Sequence, residues 1–458
     1  MQYNDNDMKV QTPKEVNNII DKFEDKKFEI YIVGGSIRDV LMGKIVYDWD
    51  FTTNACPEDI QLLFKDSFYD NKYGTVGIPS EDEERPYEIT TFRTEHGYSD
   101  SRRPDKVEWG NSLEEDLQRR DFTINAMAFK RVDTGKDEYE IIDPYDGKKD
   151  IEKKLIRAVG DANERFGEDA LRMMRGVRIA AELKFKVEKN TLEAIKTNSP
   201  LINNIAKERV RDELLKIIAS PNPYDGMTLL RESGLSAQIL PEFEKTFGVE
   251  QKSPGRHHIY DVGTHSMMSL KNCPSTDAIT RFACLIHDIG KPQTYKKLDT
   301  GVITFYNHEV VSAKIANNIA DRLRFSKKQK NKLVTLVKYH QFTLNENRTD
   351  SSIRRFIRNV GVENVQDMLD LRTGDRLGGG ASETSWRLEE FKKRLVEVQK
   401  QPFTVHDLKI SGEDVMKELN LEPGPKVGEI LNQLFKDVEK KEVPNEKKAL
   451  LKHLSEIK

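Results

Sequence analysis

Cysteine is scarce in this chain. Cys56, Cys273 and Cys284 are the three in 458 residues, widely spaced and with no CxxC pair. That argues against a disulfide framework or a zinc knuckle and leads to the expectation of reduced thiols in a cytoplasmic protein. No apolar run is long enough to span a bilayer, so no membrane partner is expected. The opening "MQYNDNDMKV" is polar and acidic, unlike a secretory leader. A dominant charge is missing too: 74 Lys and Arg stand against 77 Asp and Glu, a formal net charge of −3. Any nucleic acid would therefore be gripped through local basic patches. Neither GxGxxG nor a Gly-Lys-Ser/Thr phosphate loop occurs, which weakens the Rossmann and Walker readings.

What is present is a chain too long for one core, so several domains are expected. Its first part alternates strand-like and helix-like segments. "FEIYIVGG" reads as a strand, "SIRDVLMG" as a short helix stopped by Gly43, and "YDWDFTT" and "RPYEITTFR" as further strands, with "DFTINAMAFK" leading into one more. From about Asn163 onward the apolar spacing becomes helical, and "ERFGEDALRMMRGVRIAAELKF" reads as one helix. The expected class is α+β: a mixed head over 1–150 and helical segments over 151–250, 251–385 and 386–458.

Alternate residues of a strand share a face, so "DWD" would project Asp48 and Asp50 together, with Trp49 opposite. Paired carboxylates repel unless a cation joins them, and Mg²⁺ with substrate phosphates is one that fits. Glu88 on "YEITTF" is the candidate third carboxylate, with Asp121 a second choice. Gly34 and Gly35 would let backbone amides approach a phosphate, and Arg38 adds positive charge beside them. Asp-x-Asp alone is common on surface strands. Its company of Gly-Gly and Arg-Asp makes it specific.

"GEDALRMMRGVR" spaces Asp169, Arg172, Arg175 and Arg178 by three. One reading is an ion pair on a solvated helix face. The other is chemical: a carboxylate beside a guanidinium offers an acceptor and a donor, complementary to cytosine and adenine but not to guanine or uracil.

In order and spacing, "GGSIRDVLMGKIVYDWDFTT", "RRDFTINAMAF" and "GEDALRMMRGVRIAAEL" resemble the signature motifs of class II tRNA nucleotidyltransferases, the CCA-adding enzymes and bacterial poly(A) polymerases. The segment from Phe403 to Leu434 is similar to the family's tail. The resemblance implies a polymerase-beta-like head, followed by a helical neck, body and tail that hold tRNA. It implies Mg²⁺ on Asp48 and Asp50, with CTP and ATP as substrates. It also implies nucleotide contacts from Gly35, Arg38, Arg120, Asp169, Arg172, Arg175 and Arg178. "GYSDSRRPDKVEW" is a polar loop similar to the family's flexible loop, with an Asp-x-x-Arg formed by Asp100 and Arg103. Its presence favours complete CCA addition or A addition. Poly(A) synthesis and A-only addition remain alternatives, because their catalytic residues would be nearly the same.

Five of the nine histidines, His258, His265, His287, His308 and His340, fall in one interval. "LIHDIGKP" resembles the signature of HD metal-dependent phosphohydrolases. His265, His287, Asp288 and Asp375 would form a mixed N/O site for a divalent metal, and His308 and His340 could extend it to a second ion. The resemblance suggests a phosphatase or 2′,3′-cyclic phosphodiesterase acting on tRNA ends. The alternatives are a helical scaffold that supports tRNA and a chain that is chiefly an HD phosphohydrolase. Lys207, Arg209 and Arg211 in "AKERVRDELLKI" are candidate tRNA contacts, expected to weaken with salt.

Overall fold

The structure is a computed structural model that describes residues 7–69, 74–80, 85–96, 106–109, 112–132, 137–251, 259–342, 350–399, 405–440 and 442–456. Asp100, Arg103 and His258 lie outside the described residues. The chain divides into two compact units: Met1–Lys245 with Ile319–Phe325, and Thr246–Asn318 with Ser326–Lys458.

The first unit holds the sheet. Its strands are β1 (Asp7–Lys9), β2 (Ile30–Val33), β3 (Asp50–Thr53), β4 (Phe68–Tyr69), β5 (Thr75–Ile78), β6 (Tyr87–Thr91), β7 (Arg93–His96), β8 (Lys106–Trp109), β9 (Ala128–Arg131) and β10 (Glu138–Ile142). Eight of them form one sheet in the order β1-β10-β9-β2-β3-β6-β5-β4, while β7 and β8 pair separately. The end of the polar loop segment, Lys106–Trp109, is therefore a strand paired with Arg93–His96. Within the large sheet only β3 and β6 run parallel. Helix α1 (Lys14–Asp25) buries Val16, Ile19, Ile20 and Phe23, one helical stripe, in the core beneath the sheet. Each such side chain contributes roughly 1.5–3 kcal/mol when fully buried.

The stretch expected as one long helix is two. It breaks at Asp169, whose backbone is extended (φ −137°, ψ 102°), between α2 (Ala162–Glu168) and α3 (Leu171–Leu183). The side chain explains the break. Asp169, the residue that ends the first helix, accepts a hydrogen bond from the Leu171 amide at 3.0 Å, a local turn that competes with a continuous helix. Helix α4 (Lys207–Ala219) packs along α3, and Arg178 donates to the buried Glu213 across that contact at 2.7 Å.

The second unit is helical apart from one short hairpin, Lys296–Lys297 with Ile303–Thr304. Helices Val262–Lys271, Ala278–Ile286 and Val365–Gly378 pack against one another. Gly374 permits that approach, because a Cβ there would sit 2.7 Å from the Ser269 carbonyl oxygen. The last three helices, Gly412–Leu419, Pro425–Glu439 and Lys447–Glu456, share a small core that includes Val415, Leu434, Leu450 and Leu454. Among the described residues, no helix is long and apolar enough to cross a membrane.

Candidate active site

Strand β2 ends at Val33, and Gly34 turns the chain with φ +83°. A Cβ at Gly34 would lie 3.3 Å from both the Arg120 guanidinium and an Asp50 carboxylate oxygen, so both the turn and the space ask for glycine. Asp50 faces Val33 on one side and stands in register with Glu88 on the other. The sheet thus places these two carboxylates side by side. Asp50 is pushed up to about 7, first by burial and then by the charge of Asp48. Arg120 opposes that rise and Glu88 adds to it.

Asp48 falls short of the strand, which begins at Asp50. Its side chain is 60% exposed and lies 3.8 Å from Arg85. Trp49 is buried in the sheet core, so the expected alternation holds around it. Among the described residues, Asp48, Asp50 and Glu88 do not draw their oxygens into one tight cluster.

A cavity of about 380 Å³ opens at this edge. Gly34, Gly35, Asp50, Glu88, Arg120, Asp121, Asp169, Arg172 and Arg175 all line it, and so do Arg93, Arg119, Asn125 and Arg209. Arg120 is held by the buried Asp116 at 3.2 Å. Asp121 accepts from the Phe122 amide at 2.9 Å and from Arg175 at 2.7 Å. Burial opposes its charge, but Arg175 overrides that and lowers Asp121 to about 2. With both oxygens engaged, Asp121 anchors Arg175 and is a poor third metal ligand.

Other residues named from the sequence sit elsewhere. Arg38 lies behind Gly35 and donates to Asn125 at 2.9 Å and to Asp39 at 3.0 Å. Arg178 is committed to Glu213 and Glu182. Lys207 donates to the Asn203 carbonyl at 3.2 Å. Arg211 donates to Asp212 at 2.8 Å and to the Arg324 carbonyl. Asp169 and Arg172 do not pair with each other. Arg172 donates to Glu168 at 2.6 Å and to the Arg119 carbonyl at 2.9 Å, while Asp169 accepts from Arg209 at 3.0 Å. Spacing along one helix could not have shown a partner forty residues away. Arg119 was visible in the sequence beside Arg120, but its buried anchor Asp116 was not.

The second unit carries a different site. His265 Nε2 lies 3.2 Å from Asp375, His287 Nε2 3.2 Å from one oxygen of Asp288, and His308 Nε2 3.2 Å from the other. His340 Nε2 lies 3.3 Å from His308 Nε2. Asp288 therefore joins two groups, His265-His287-Asp288 and Asp288-His308-His340, each compact enough to hold a metal ion. The Nδ1 atoms of His287, His308 and His340 lie 2.7–2.8 Å from the carbonyls of Cys284, Phe305 and Val337. With Nδ1 carrying the proton, each Nε2 turns a lone pair to the centre, the tautomer a metal requires. Burial works against charge on His287, yet Asp288 and Asp375 raise it to about 10. Both carboxylates are held well below their ordinary range despite burial. The donor set calls for cations. Lys291 and Arg372 line the adjoining cavity of about 470 Å³, at 2.6 Å from Asp288 and 2.8 Å from Asp375.

Comparison with known proteins agrees with the head. Residues 30–157 match the Poly A polymerase head domain, 184–247 the probable RNA and SrmB-binding site of polymerase A, and 302–454 a putative tRNA nucleotidyltransferase domain 2. The CCA-adding enzyme of Ligilactobacillus salivarius is 34% identical over 440 residues, covering 96% of this chain and 95% of its own. The chain belongs to the CCA-adding enzyme family. The Pediococcus pentosaceus CCA-adding enzyme is 33% identical, with 96% of each chain covered. The structure of the Bacillus stearothermophilus CCA-adding enzyme in complex with CTP superposes with a TM-score of 0.70 at 27% identity, over 97% of this chain and 98% of that one. Asp48, Asp50, Glu88, Arg120 and Asp121 fall within the segment matched to the Poly A polymerase head domain, and Arg209 within the matched second segment. His308, His340 and Asp375 fall within the third, whereas Asp169–Arg178 and His265–Asp288 lie between the matched segments.

Proposed function

We propose that this chain adds or repairs the 3′-terminal CCA of tRNA, taking CTP and ATP without a nucleic-acid template. One observation carries the reading: Asp50 and Glu88 meet in register across β3 and β6 in the same cavity that Asp169, Arg172 and Arg175 line. The roles divide over four segments: head 1–150, neck 151–250, body 251–385 and tail 386–458, with tRNA on the last three. The carboxylates of Asp48, Asp50 and Glu88 suit an oxygen-seeking divalent ion such as Mg²⁺, and the raised Asp50 fits a group built to face a cation. When bound, such an ion supplies Lewis-acid activation of the tRNA 3′-hydroxyl and offsets charge on the departing pyrophosphate.

The chain's own residues do the rest. Gly34 and Gly35 leave room for phosphate against the backbone. Arg120, steadied by Asp116, and Arg175, steadied by Asp121, hold fixed positive charge toward the triphosphate. Asp169 accepts from the exocyclic amino group that cytosine and adenine share, and Arg172 donates to the neighbouring ring nitrogen. The test uses tRNA transcripts ending before, within and one residue short of CCA, each offered single NTPs. Extension by C, C and A in turn supports the reading. Long A tails would favour poly(A) synthesis, extension of the CC-ended transcript alone would favour A-only addition, and no extension would overturn the reading.

A second reading concerns the histidine site, on the observation that six side chains from five segments converge, with Nδ1 of three of the four imidazoles set against backbone carbonyls. It is an HD-type phosphohydrolase site for a divalent metal. Imidazole-rich ligation favours a transition metal over Mg²⁺. Metal analysis of the purified protein, followed by assay with 2′,3′-cyclic and terminal phosphates on tRNA, tests it.

A further inference from the structure

We propose that Arg209 is a positioning residue for nucleotide choice, rather than a tRNA contact. The inference rests on the reading that Asp169 recognises the base. Arg209 is carried by α4 and lines the nucleotide cavity, with its guanidinium 3.0 Å from Asp169 Oδ2. The other oxygen, Oδ1, takes the Leu171 amide at 3.0 Å. One donor from the backbone and one from a neighbouring helix thus set the plane of the carboxylate. Such a clamp holds the remaining Oδ2 lone pair in a fixed direction.

Arg172 does not do this: its Nη1 donates to Glu168 and the Arg165 carbonyl and its Nη2 to the Arg119 carbonyl, and none of these donors reaches Asp169. The two arginines have separate roles, with Arg172 fixed from below as a donor and Arg209 fixing the acceptor. The mounting of Arg209 supports this assignment, since Arg178 ties α3 to α4 at the buried Glu213. An Asp169 carboxylate free to rotate could turn away from an amino group or accept from the ring N–H of guanine or uracil. A locked one presents a single acceptor at one place, and discrimination by an unmet hydrogen bond depends on that rigidity.

The experiment compares wild type, Arg209→Ala, Arg209→Lys and Asp169→Ala, reading KM and kcat for CTP, ATP, UTP and GTP and KM for tRNA. Arg209→Ala is expected to raise KM for CTP and ATP roughly tenfold and to narrow the preference over UTP and GTP by a similar factor, the loss of one charge-assisted hydrogen bond. The turnover number and KM for tRNA should stay near wild type. Arg209→Lys keeps the charge and one donor and should restore most of the preference. A rise in KM for tRNA alone would overturn the proposal and return Arg209 to tRNA binding. Wild-type selectivity in Arg209→Ala alongside lost selectivity in Asp169→Ala would overturn this proposal only. Wild-type selectivity in Asp169→Ala would overturn the base-reading role and this proposal with it. Circular dichroism melts on all four proteins identify any variant that fails by unfolding.

Discussion

The two polar sites are built on opposite plans. In the head, Asp48 is exposed, Asp50 carries a raised pKa, and the carboxylates are not gathered into a cage. In the second unit, the histidines and Asp288 are buried and in mutual contact, and backbone carbonyls fix three of the rings. An open carboxylate site leaves coordination positions for substrate phosphates, so its ion is recruited with the nucleotide. A closed imidazole site binds its ion as part of the fold and is linked to folding and to proton release. The contrast teaches that burial and ligand type separate a site suited to an exchangeable cation from one suited to a resident ion.

Removing one member from each site would break that contrast most sharply. Asp50→Ala should lower CCA addition at least about a thousandfold while leaving tRNA binding and any metal in the histidine site in place. Gel-shift, product-length and metal-content assays check this together. The converse, His287→Ala, should weaken metal retention in the second unit by more than about a hundredfold, measured by chelator competition, with nucleotide addition preserved. A smaller effect separates framework from chemistry inside the head unit. Arg178→Ala takes away the 2.7 Å partner of the buried Glu213 and should cost about 3 kcal/mol in denaturant melts, with a smaller loss of nucleotide choice than Arg209→Ala, because it only loosens the helix that carries Arg209.

The gentlest probe is pH. Asp50 must be ionised to take a cation, and its pKa is raised to about 7 in the absence of one. Metal affinity at the head should hold steady above that pH and fall about tenfold per unit below it. Titrating activity against metal concentration at each pH reads this directly. Affinity that does not change between pH 8 and pH 5.5 would show that Asp50 is not a ligand.

The parts legible in the sequence depend on local or periodic rules. The strand-turn-helix around Gly34, the period-two placement of Trp49 between two acids, and the candidacy of Glu88 came from strand pattern, and the sheet put Glu88 beside Asp50. His265, His287, Asp288 and Asp375 were nameable because His-Asp before Gly-Lys is rare. What stayed hidden was partner choice. A step of three suggested that Asp169 faces Arg172, but the chain leaves the helix at Asp169, whose backbone is extended, and Asp169 pairs with Arg209 instead. Arg178 looked like a nucleotide ligand by the same step, yet its face of the helix meets Glu213. Arg211 was a candidate tRNA contact, and its guanidinium also donates to Asp212 and the Arg324 carbonyl, partners that spacing does not show. Side-chain commitments of this kind are made across elements, and sequence periodicity describes one element at a time.

Trp49 turns the head into its own optical instrument. The indole is buried in the sheet core, its Nε1 without a hydrogen-bond partner among the described residues, and both flanking positions are candidate ligands. Of the chain's three tryptophans, Trp386 is 62% exposed and belongs to the other unit. With Trp109→Phe in the background, emission resolves a blue-shifted signal from the buried Trp49 and a red-shifted one from the exposed Trp386. A cation arriving between Asp48 and Asp50 changes the field across the blue-emitting ring, so the head reports its occupancy in light without a label.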